Sequence, residues 1–104
     1  MRPDSLSGHL DLLLLATLEK GAAHGYAVIE RLRESSGGEF DYAEGTIYPA
    51  LHKLESEGLV SSRWAEVGGR RRRVYALTRR GRVAAQRRAA DWQRYANAVK
   101  AVIA

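Results

Sequence analysis

The chain has 104 residues, no cysteine and a formal net charge of +5, a length that suits one small domain. The absence of cysteine excludes disulfides, thiolate metal ligands and thiol nucleophiles, and three scattered histidines provide no metal-ligand spacing. The charge is uneven, because residues 63–104 hold twelve Lys or Arg against two acids while residues 1–62 hold five against ten. Such a basic segment favours a polyanionic partner, and charge alone does not choose among DNA, RNA and an acidic membrane.

No membrane partner is expected. The longest uninterrupted apolar run, residues 12–16, is far too short to cross a bilayer. Near the N-terminus, Asp4 stands where a signal peptide would enter its apolar stretch. We therefore expect a cytoplasmic protein.

Two helices are predicted at the start of the chain. The first covers residues 10–20 and carries leucines around most of its circumference, so it must be buried on more than one side. In a domain this small, we expect the second buried side to contact a partner subunit. The second helix covers residues 25–33, with Tyr26, Ile29 and Leu32 at helical spacing.

A third helix is predicted up to about Glu57. Asp41 and Glu44 have capping-box spacing at its start, although Ser or Thr is the better first residue. Pro49 would cost about 3 kcal/mol in a helix interior, so we expect it within the first turns, where its missing N–H matters least. The apolar stripe consists of Ile47, Leu51 and Leu54.

A β-hairpin and a long helix complete the pattern. Residues 59–67 and 71–77 are strand-like and flank Gly68 and Gly69, a pair typical of hairpin turns. Thr78 is a good N-cap for the last helix. That helix has a heptad-like seam, which favours pairing with another helix. The seam comprises Ala85, Ala89, Trp92, Ala96, Val99 and Ile103.

These elements predict a mainly α fold with a small β-hairpin, namely a winged helix-turn-helix plus a C-terminal dimerisation helix. We expect residues 1–78 to form a winged-helix DNA-binding domain and residues 79–104 the dimerisation helix. The pattern by itself leaves an alternative open, because three helices with a hairpin also occur in protein–protein adaptors.

One block resembles the recognition-helix signature of the PadR family of transcription regulators, namely residues 45–60, which read GTIYPALHKLESEGLV. The resemblance covers about residues 6–95 and implies a winged-helix fold, a homodimer built by the last helix, and repression at an operator. The basic Arg79 and Arg80 depart from the acid that relatives often carry early in that helix. Four further stretches agree in order and spacing: residues 8–12, residues 24–26, Trp64, and residues 73–78 with 81–82.

The N-terminal part of a recognition helix enters the major groove of double-stranded DNA. There Gly45 lets the backbone approach closely, Thr46 can contact a phosphate or a thymine methyl, and the Tyr48 hydroxyl suits a phosphate. About two turns in, His52 and Lys53 are candidate base or backbone contacts, although an outer helix face can also be merely hydrated. The predicted contacts of this helix are Gly45, Thr46, Tyr48, Pro49, His52 and Lys53.

Four arginines follow the glycine turn of the hairpin. Because side chains alternate along a strand, only about half of them can face one side. One or two should contact the minor groove or its phosphates, and the rest should be solvated. The four residues are Arg70, Arg71, Arg72 and Arg73.

Trp92 has two interpretations. It is a core aromatic of the dimer seam or, by resemblance to short members of the family, a residue that stacks on a flat apolar effector between the last and first helices. The predicted set for the effector site or dimer interface comprises Leu14, Trp92, Tyr95, Ala96 and Val99.

An enzyme is not expected, because the sequence has no readable nucleophile–base pairing, phosphate-binding glycine loop or close carboxylate pair. No metal or other cofactor is expected either. The remaining alternative is a winged-helix interaction module whose basic tail docks on an acidic protein. Such a module needs neither the Gly45-Thr46 block nor the arginines of the hairpin.

Overall fold

The computed structural model describes residues 5–104, and for residues 5–8 the backbone only. The interpretation of the acid at position 4 therefore lies outside the described residues. The structure is mainly helical, with a small sheet and a long last helix, which confirms the predicted fold. The elements in chain order are α1 (Ser5–Glu19), β1 (Ala23–His24), α2 (Gly25–Ser35), α3 (Glu44–Ser56), β2 (Val60–Val67), β3 (Arg70–Leu77) and α4 (Arg79–Ile103).

The sheet is antiparallel with strand order β1-β3-β2. The predicted hairpin is its larger part, and the register pairs Val60 with Leu77 and Val67 with Arg70. The sequence did not predict β1, which pairs Ala23 with Tyr75. Two residues are too few for an alternating pattern, so this strand exists only because β3 provides its partner.

The core lies between the first three helices and the sheet. Side chains from α1, α2, α3 and β3 meet there, and burying them removes apolar surface from water, which is the main stabilising term of such a domain. The largest fully buried side chains are Tyr75, Leu14, Leu15, Ile47, Leu51, Leu54, Val28 and Val60. The inner stripe predicted for the third helix is thus confirmed.

The predicted capping box does not form. Ala43 is the N-cap residue of α3, and its carbonyl accepts from the amides of Thr46 at 3.0 Å and Ile47 at 3.1 Å. The carboxylate of Asp41 instead lies 3.8 Å from Arg33 at the end of α2. The ion pair draws Asp41 away from the helix start, and α3 begins two residues later than the box requires.

The junction between β3 and α4 is fixed by two residues. As predicted, Thr78 caps α4: its hydroxyl accepts from the amide of Gly81 at 3.0 Å and donates to the carbonyl of Gly58 at 2.7 Å. Gly81 is buried against Leu59, so the first turn of α4 lies directly on the start of β2. This contact sets the direction of a helix about 37 Å long.

Candidate nucleic-acid interface

The predicted recognition helix α3 presents an exposed stripe opposite its buried one. Gly45, Pro49, His52 and Ser56 follow one another at intervals of four, three and four residues, which places them on one helix face, and all four are exposed. Because proline has no N–H, the carbonyl of Gly45 lacks its usual helical donor. The stripe therefore offers a methylene, an imidazole and the free carbonyl of Gly45 to a surface laid against it.

Tyr48 lies on one flank of this stripe and packs on the start of α2. A methyl group placed on Gly25 would lie 2.5 Å from the Tyr48 ring, so the ring rests directly on the glycine. The side chain is half-buried, and its hydroxyl is at the N-terminal end of α2. Gly25 thus allows the two helices of the helix-turn-helix to approach closely.

Thr46 and Lys53 lie on the opposite flank. Thr46 lines an apolar cavity beneath the helix, described below. The ammonium of Lys53 is 3.5 Å from a carboxylate oxygen of Asp11 on α1. The buried acid thus draws the Lys53 side chain towards α1, and the DNA contact of Lys53 stays a prediction.

The hairpin sorts its four arginines onto two faces. Trp64 lies opposite Arg73 in the sheet, so their side chains are on the same face. Because side chains alternate along a strand, Arg71 shares that face, and Arg70 and Arg72 lie on the opposite face. On the first face the guanidiniums of Arg71 and Arg73 lie 5.0 and 5.3 Å from the centroid of the exposed Trp64 ring. Both distances are within the range of cation–π attraction. The sequence indicated an aromatic residue at position 64, but it did not predict that two guanidiniums lie over its ring.

Two hydrogen bonds in series connect the hairpin to α3. The Nε of Arg73 donates to the Ser62 hydroxyl at 2.8 Å, and that hydroxyl donates to the carboxylate of Glu55 on α3. Arg73 is therefore engaged within the protein. Among the two arginines that flank Trp64, Arg71 is the exposed one and the better candidate for a phosphate contact.

The other face of the hairpin perturbs His24. Burial lowers the pKa of His24 below its ordinary value of 6.5, and the positive charges of Arg72 and Arg31 lower it further. A neutral imidazole therefore stands beside the basic hairpin near neutral pH. His24 was not predicted as a functional residue, and its sequence neighbours gave no sign of Arg72, which lies far along the chain.

Replacing Arg72 with glutamine is expected to raise the pKa of His24 towards 6.5, because one of the cations that oppose its protonation is removed. The measurement is an NMR titration of the His24 ring protons. Arg71→Gln is the matched control, since that side chain lies on the Trp64 face. An equal rise in both variants would show that the general positive field of the hairpin, rather than Arg72, perturbs the imidazole.

An apolar cavity of about 460 Å³ lies between α1, α4 and the start of α3. Trp92 forms one wall, with its ring 5.0 Å from that of His9 and 5.8 Å from that of Tyr95. Leu14 was predicted to take part but is fully buried in the core, because it lies on the face of α1 that meets α2 and α3. The cavity is lined by His9, Leu10, Leu12, Leu13, Phe40, Tyr42, Thr46 and Trp92.

Phe40 and Tyr42 bring the loop before α3 into this cavity, with near-parallel rings 6.3 Å apart. Neither residue was predicted for this cavity, although two aromatic residues so close together in a connecting loop were the available signal. Of the residues predicted for the effector site or dimer interface, Tyr95 and Val99 are exposed on α4, and Ala96 is half-buried. Val102 and Ile103, at the end of the same helix, are exposed by 83% and 76%, so α4 carries apolar surface far from the core.

Residues 5–104 hold neither a metal-ligand cluster nor a membrane-spanning helix. No group of three or more His, Asp or Glu side chains is placed there to hold a metal ion. In the same part of the chain, no helix has both the length and the apolar character needed to cross a membrane.

The chain matches the model of the transcriptional regulator PadR-like family over residues 14–87. Transcriptional regulator Rv3488 of Mycobacterium tuberculosis is 46% identical over 52 residues, which are 50% of this chain and 49% of that protein. Transcriptional regulator YqjI of Escherichia coli is 34% identical over 71% of this chain but 34% of its own length. The chain thus spans half or less of these two relatives.

Solved structures of regulators share the whole fold. A PadR family transcription regulator from Clostridium difficile has a TM-score of 0.82 and 30% identity, with 92% of this chain and 99% of that chain covered. A PadR-like transcription factor from Bacteroides fragilis has a TM-score of 0.79 and 28% identity, with 95% of this chain and 94% of that chain covered. A transcriptional regulator from Clostridium thermocellum has a TM-score of 0.85 and 23% identity, with 100% of this chain and 99% of that chain covered. This last similarity shows a shared fold alone.

Proposed function

Since the chain belongs to the PadR-like family of transcriptional regulators, we propose that it is a sequence-specific repressor that binds DNA as a homodimer in the cytoplasm. In this proposal a small apolar or aromatic effector releases it from DNA. Its role is binding rather than catalysis. Residues 1–78 supply the DNA-binding domain and residues 79–104 the dimerisation helix.

The observation that carries the proposal is the joint presentation of α3 and the basic hairpin. Arg73, Ser62 and Glu55 connect the two elements through hydrogen bonds, so they approach a duplex as one unit. The exposed stripe of α3 is suited to base edges in the major groove, and the cations of the hairpin are suited to phosphates beside it. Direct base contacts are assigned to Gly45, Thr46, Pro49 and His52, and backbone contacts to Tyr48, Lys53 and one or two of the arginines 70–73, Arg71 first among them.

The homodimer is supported by the exposed apolar side of α4. Trp92, Tyr95 and Val99 remain 42%, 46% and 38% exposed in the single chain, and their spacing suits packing against a second helix. Ala96 between them allows close approach. A two-fold dimer of this kind places its recognition helices about 34 Å apart, so the operator is an inverted repeat.

The effector is supported by the cavity beside Trp92. Its volume of about 460 Å³ lies within the usual range for small-molecule sites, and aromatic walls favour a flat apolar compound. Because Thr46 of the recognition helix also lines it, a ligand there contacts the DNA-binding element directly. Occupancy then changes the position of α3 relative to α4.

Fluorescence anisotropy with a duplex from the region upstream of the protein's own gene tests this function. We expect saturable binding that outcompetes a random duplex, with two chains per inverted repeat and a steep dependence on salt. Equally weak binding to all duplexes in a set that covers that region would contradict sequence-specific regulation of the gene, and would favour an acidic protein partner for the basic hairpin. Scattering data with and without a bound aromatic compound test the release mechanism, and unchanged helix spacing would contradict it.

A further inference from the structure

Asp11 is a nearly buried acid at the place where three helices meet. Its side chain on α1 is 10% exposed. One carboxylate oxygen, Oδ2, lies 3.5 Å from the ammonium of Lys53 on α3 and 3.6 Å from the guanidinium of Arg88 on α4. A single oxygen therefore faces two cations, one from the recognition helix and one from the dimerisation helix.

This arrangement has more positive than negative charge. A carboxylate with little access to water is costly when it has no cationic partner, so Asp11 must retain at least one of the two cations. It does not need both. Lys53 is the easier one to release, because its side chain is 54% exposed against 38% for Arg88 and because a lysine ammonium is carried on a long flexible stem.

Lys53 is also the cation close to the DNA-facing stripe. It follows Pro49 by four residues, which places the two on adjacent parts of the α3 surface. A rotation about its side-chain bonds moves the ammonium from the α1 side to the outer side of the helix. Arg88, which projects from α4, stays beside Asp11 during such a movement.

We propose that Asp11 is a positioning residue for DNA binding, which holds Lys53 against α1 in the free protein, and that Arg88 neutralises Asp11 when Lys53 turns to a DNA phosphate. The inference rests on the proposed DNA-binding function. It makes Arg88 a determinant of DNA affinity although this residue is not part of the recognition helix or the hairpin. Without Arg88, Lys53 is the sole cationic partner that the described side chains give the buried acid, and it stays with that acid.

The arrangement also connects the effector cavity to the recognition helix. Arg88 precedes Trp92 by four residues on α4, so the two side chains are neighbours on one helix face. A ligand that displaces α4 at Trp92 also withdraws Arg88 from Asp11. Asp11 then retains Lys53, and the protein loses a phosphate contact in each subunit.

The test is the salt dependence of DNA binding by Arg88→Gln, with Arg87→Gln as the matched control. Arg87→Gln removes the same charge from the adjacent exposed position, which takes no part in the described ion pairs of Asp11. For a dimer that loses two Lys53 contacts, the slope of log K against log salt becomes shallower by about 1.8. Between 50 and 200 mM salt the parent then loses about twelvefold more affinity than Arg88→Gln, and Arg87→Gln follows the parent.

A second substitution separates this role from general damage. The double variant Asp11→Asn with Arg88→Gln frees Lys53 and is expected to restore the parental salt slope. The double variant Lys53→Gln with Arg88→Gln is expected to have the same salt slope as Arg88→Gln alone. The proposal would be overturned if Arg88→Gln kept the parental salt slope, or if adding Asp11→Asn to it did not restore that slope. If Arg88→Gln does not fold, Asp11→Asn alone decides, because releasing Lys53 must raise affinity at every salt concentration. A random duplex reports these phosphate contacts too, so absence of a specific operator contradicts the proposed function without deciding this inference.

Discussion

Gly81→Ala is expected to lower the free energy of unfolding by about 3 kcal/mol or more, because the added methyl has no space. Its Cβ would lie 1.9 Å from the carbonyl oxygen of Leu59 and 3.3 Å from a methyl of Leu77. The obstacle at Leu59 is backbone, and the same carbonyl accepts a hydrogen bond from the amide of Thr78 at 3.1 Å. Moving it away therefore disturbs both the start of β2 and the cap of α4.

Chemical denaturation followed by circular dichroism measures this effect, and a loss of 3 kcal/mol corresponds to a melting temperature lower by about 12 °C or more. Gly45→Ala is the matched control, since the part of the chain that the structure describes leaves a methyl at that exposed helical position free of contacts within 4 Å. Alanine is the better helix former by about 0.5–1 kcal/mol, so the control is expected to be as stable as the parent or slightly more so. Similar stability of the two variants would refute the close contact between α4 and β2.

The helices, the hairpin and the cap at Thr78 were predictable because each depends on local chemistry. The stripe of Ile47, Leu51 and Leu54 has the helical period, and the pair of glycines fits a tight hairpin turn. Thr78 provides the side-chain oxygen that the first amides of a helix need. Such signals depend on residues a few positions apart, so they can be recognised without knowledge of the tertiary structure.

Other features depend on residues that are distant in sequence. The strand β1 requires β3 as its partner, and the capping box at Asp41 failed because Arg33 competes for the carboxylate. Leu14 illustrates a further limit. In a helix that is apolar on nearly every side, periodicity does not tell which leucine meets the core and which lines a cavity.

The sequence predicted which residues form the exposed face of α3 and the basic hairpin, but not the direction in which their side chains point. Alternation required that the four arginines divide between two faces, but only the register with Trp64 shows that Arg71 and Arg73 share the aromatic one. Lys53 lies on α3 as predicted, yet Asp11, which also pairs with Arg88, determines where its ammonium lies. These charges come from α1 and α4, which no local pattern connects.

Trp64→Leu is expected to weaken DNA binding by about thirtyfold, although the indole itself need not touch DNA. Cation–π attraction holds two guanidiniums over the ring, so these long side chains are ordered before DNA arrives. Ordering a flexible side chain at an interface costs about 0.5–1.5 kcal/mol. Because Ser62 still holds Arg73, one arginine in each subunit, Arg71, loses this preorganisation, which amounts to about 2 kcal/mol over the dimer at the middle of the range for two side chains. The measurement is anisotropy at fixed salt, with Trp64→Phe expected to retain part of the affinity.

The salt slope separates preorganisation from a lost contact. Trp64→Leu keeps every arginine, so its slope should equal that of the parent while its affinity is lower at all salt concentrations. Arg71→Gln removes a cation from each subunit and should make the slope shallower by about 1.8. Because Trp64 is 54% exposed, the leucine variant should melt close to the parent. A shallower slope for Trp64→Leu would mean that the arginines no longer reach the phosphates at all, and unchanged affinity would mean that the ring does not organise them.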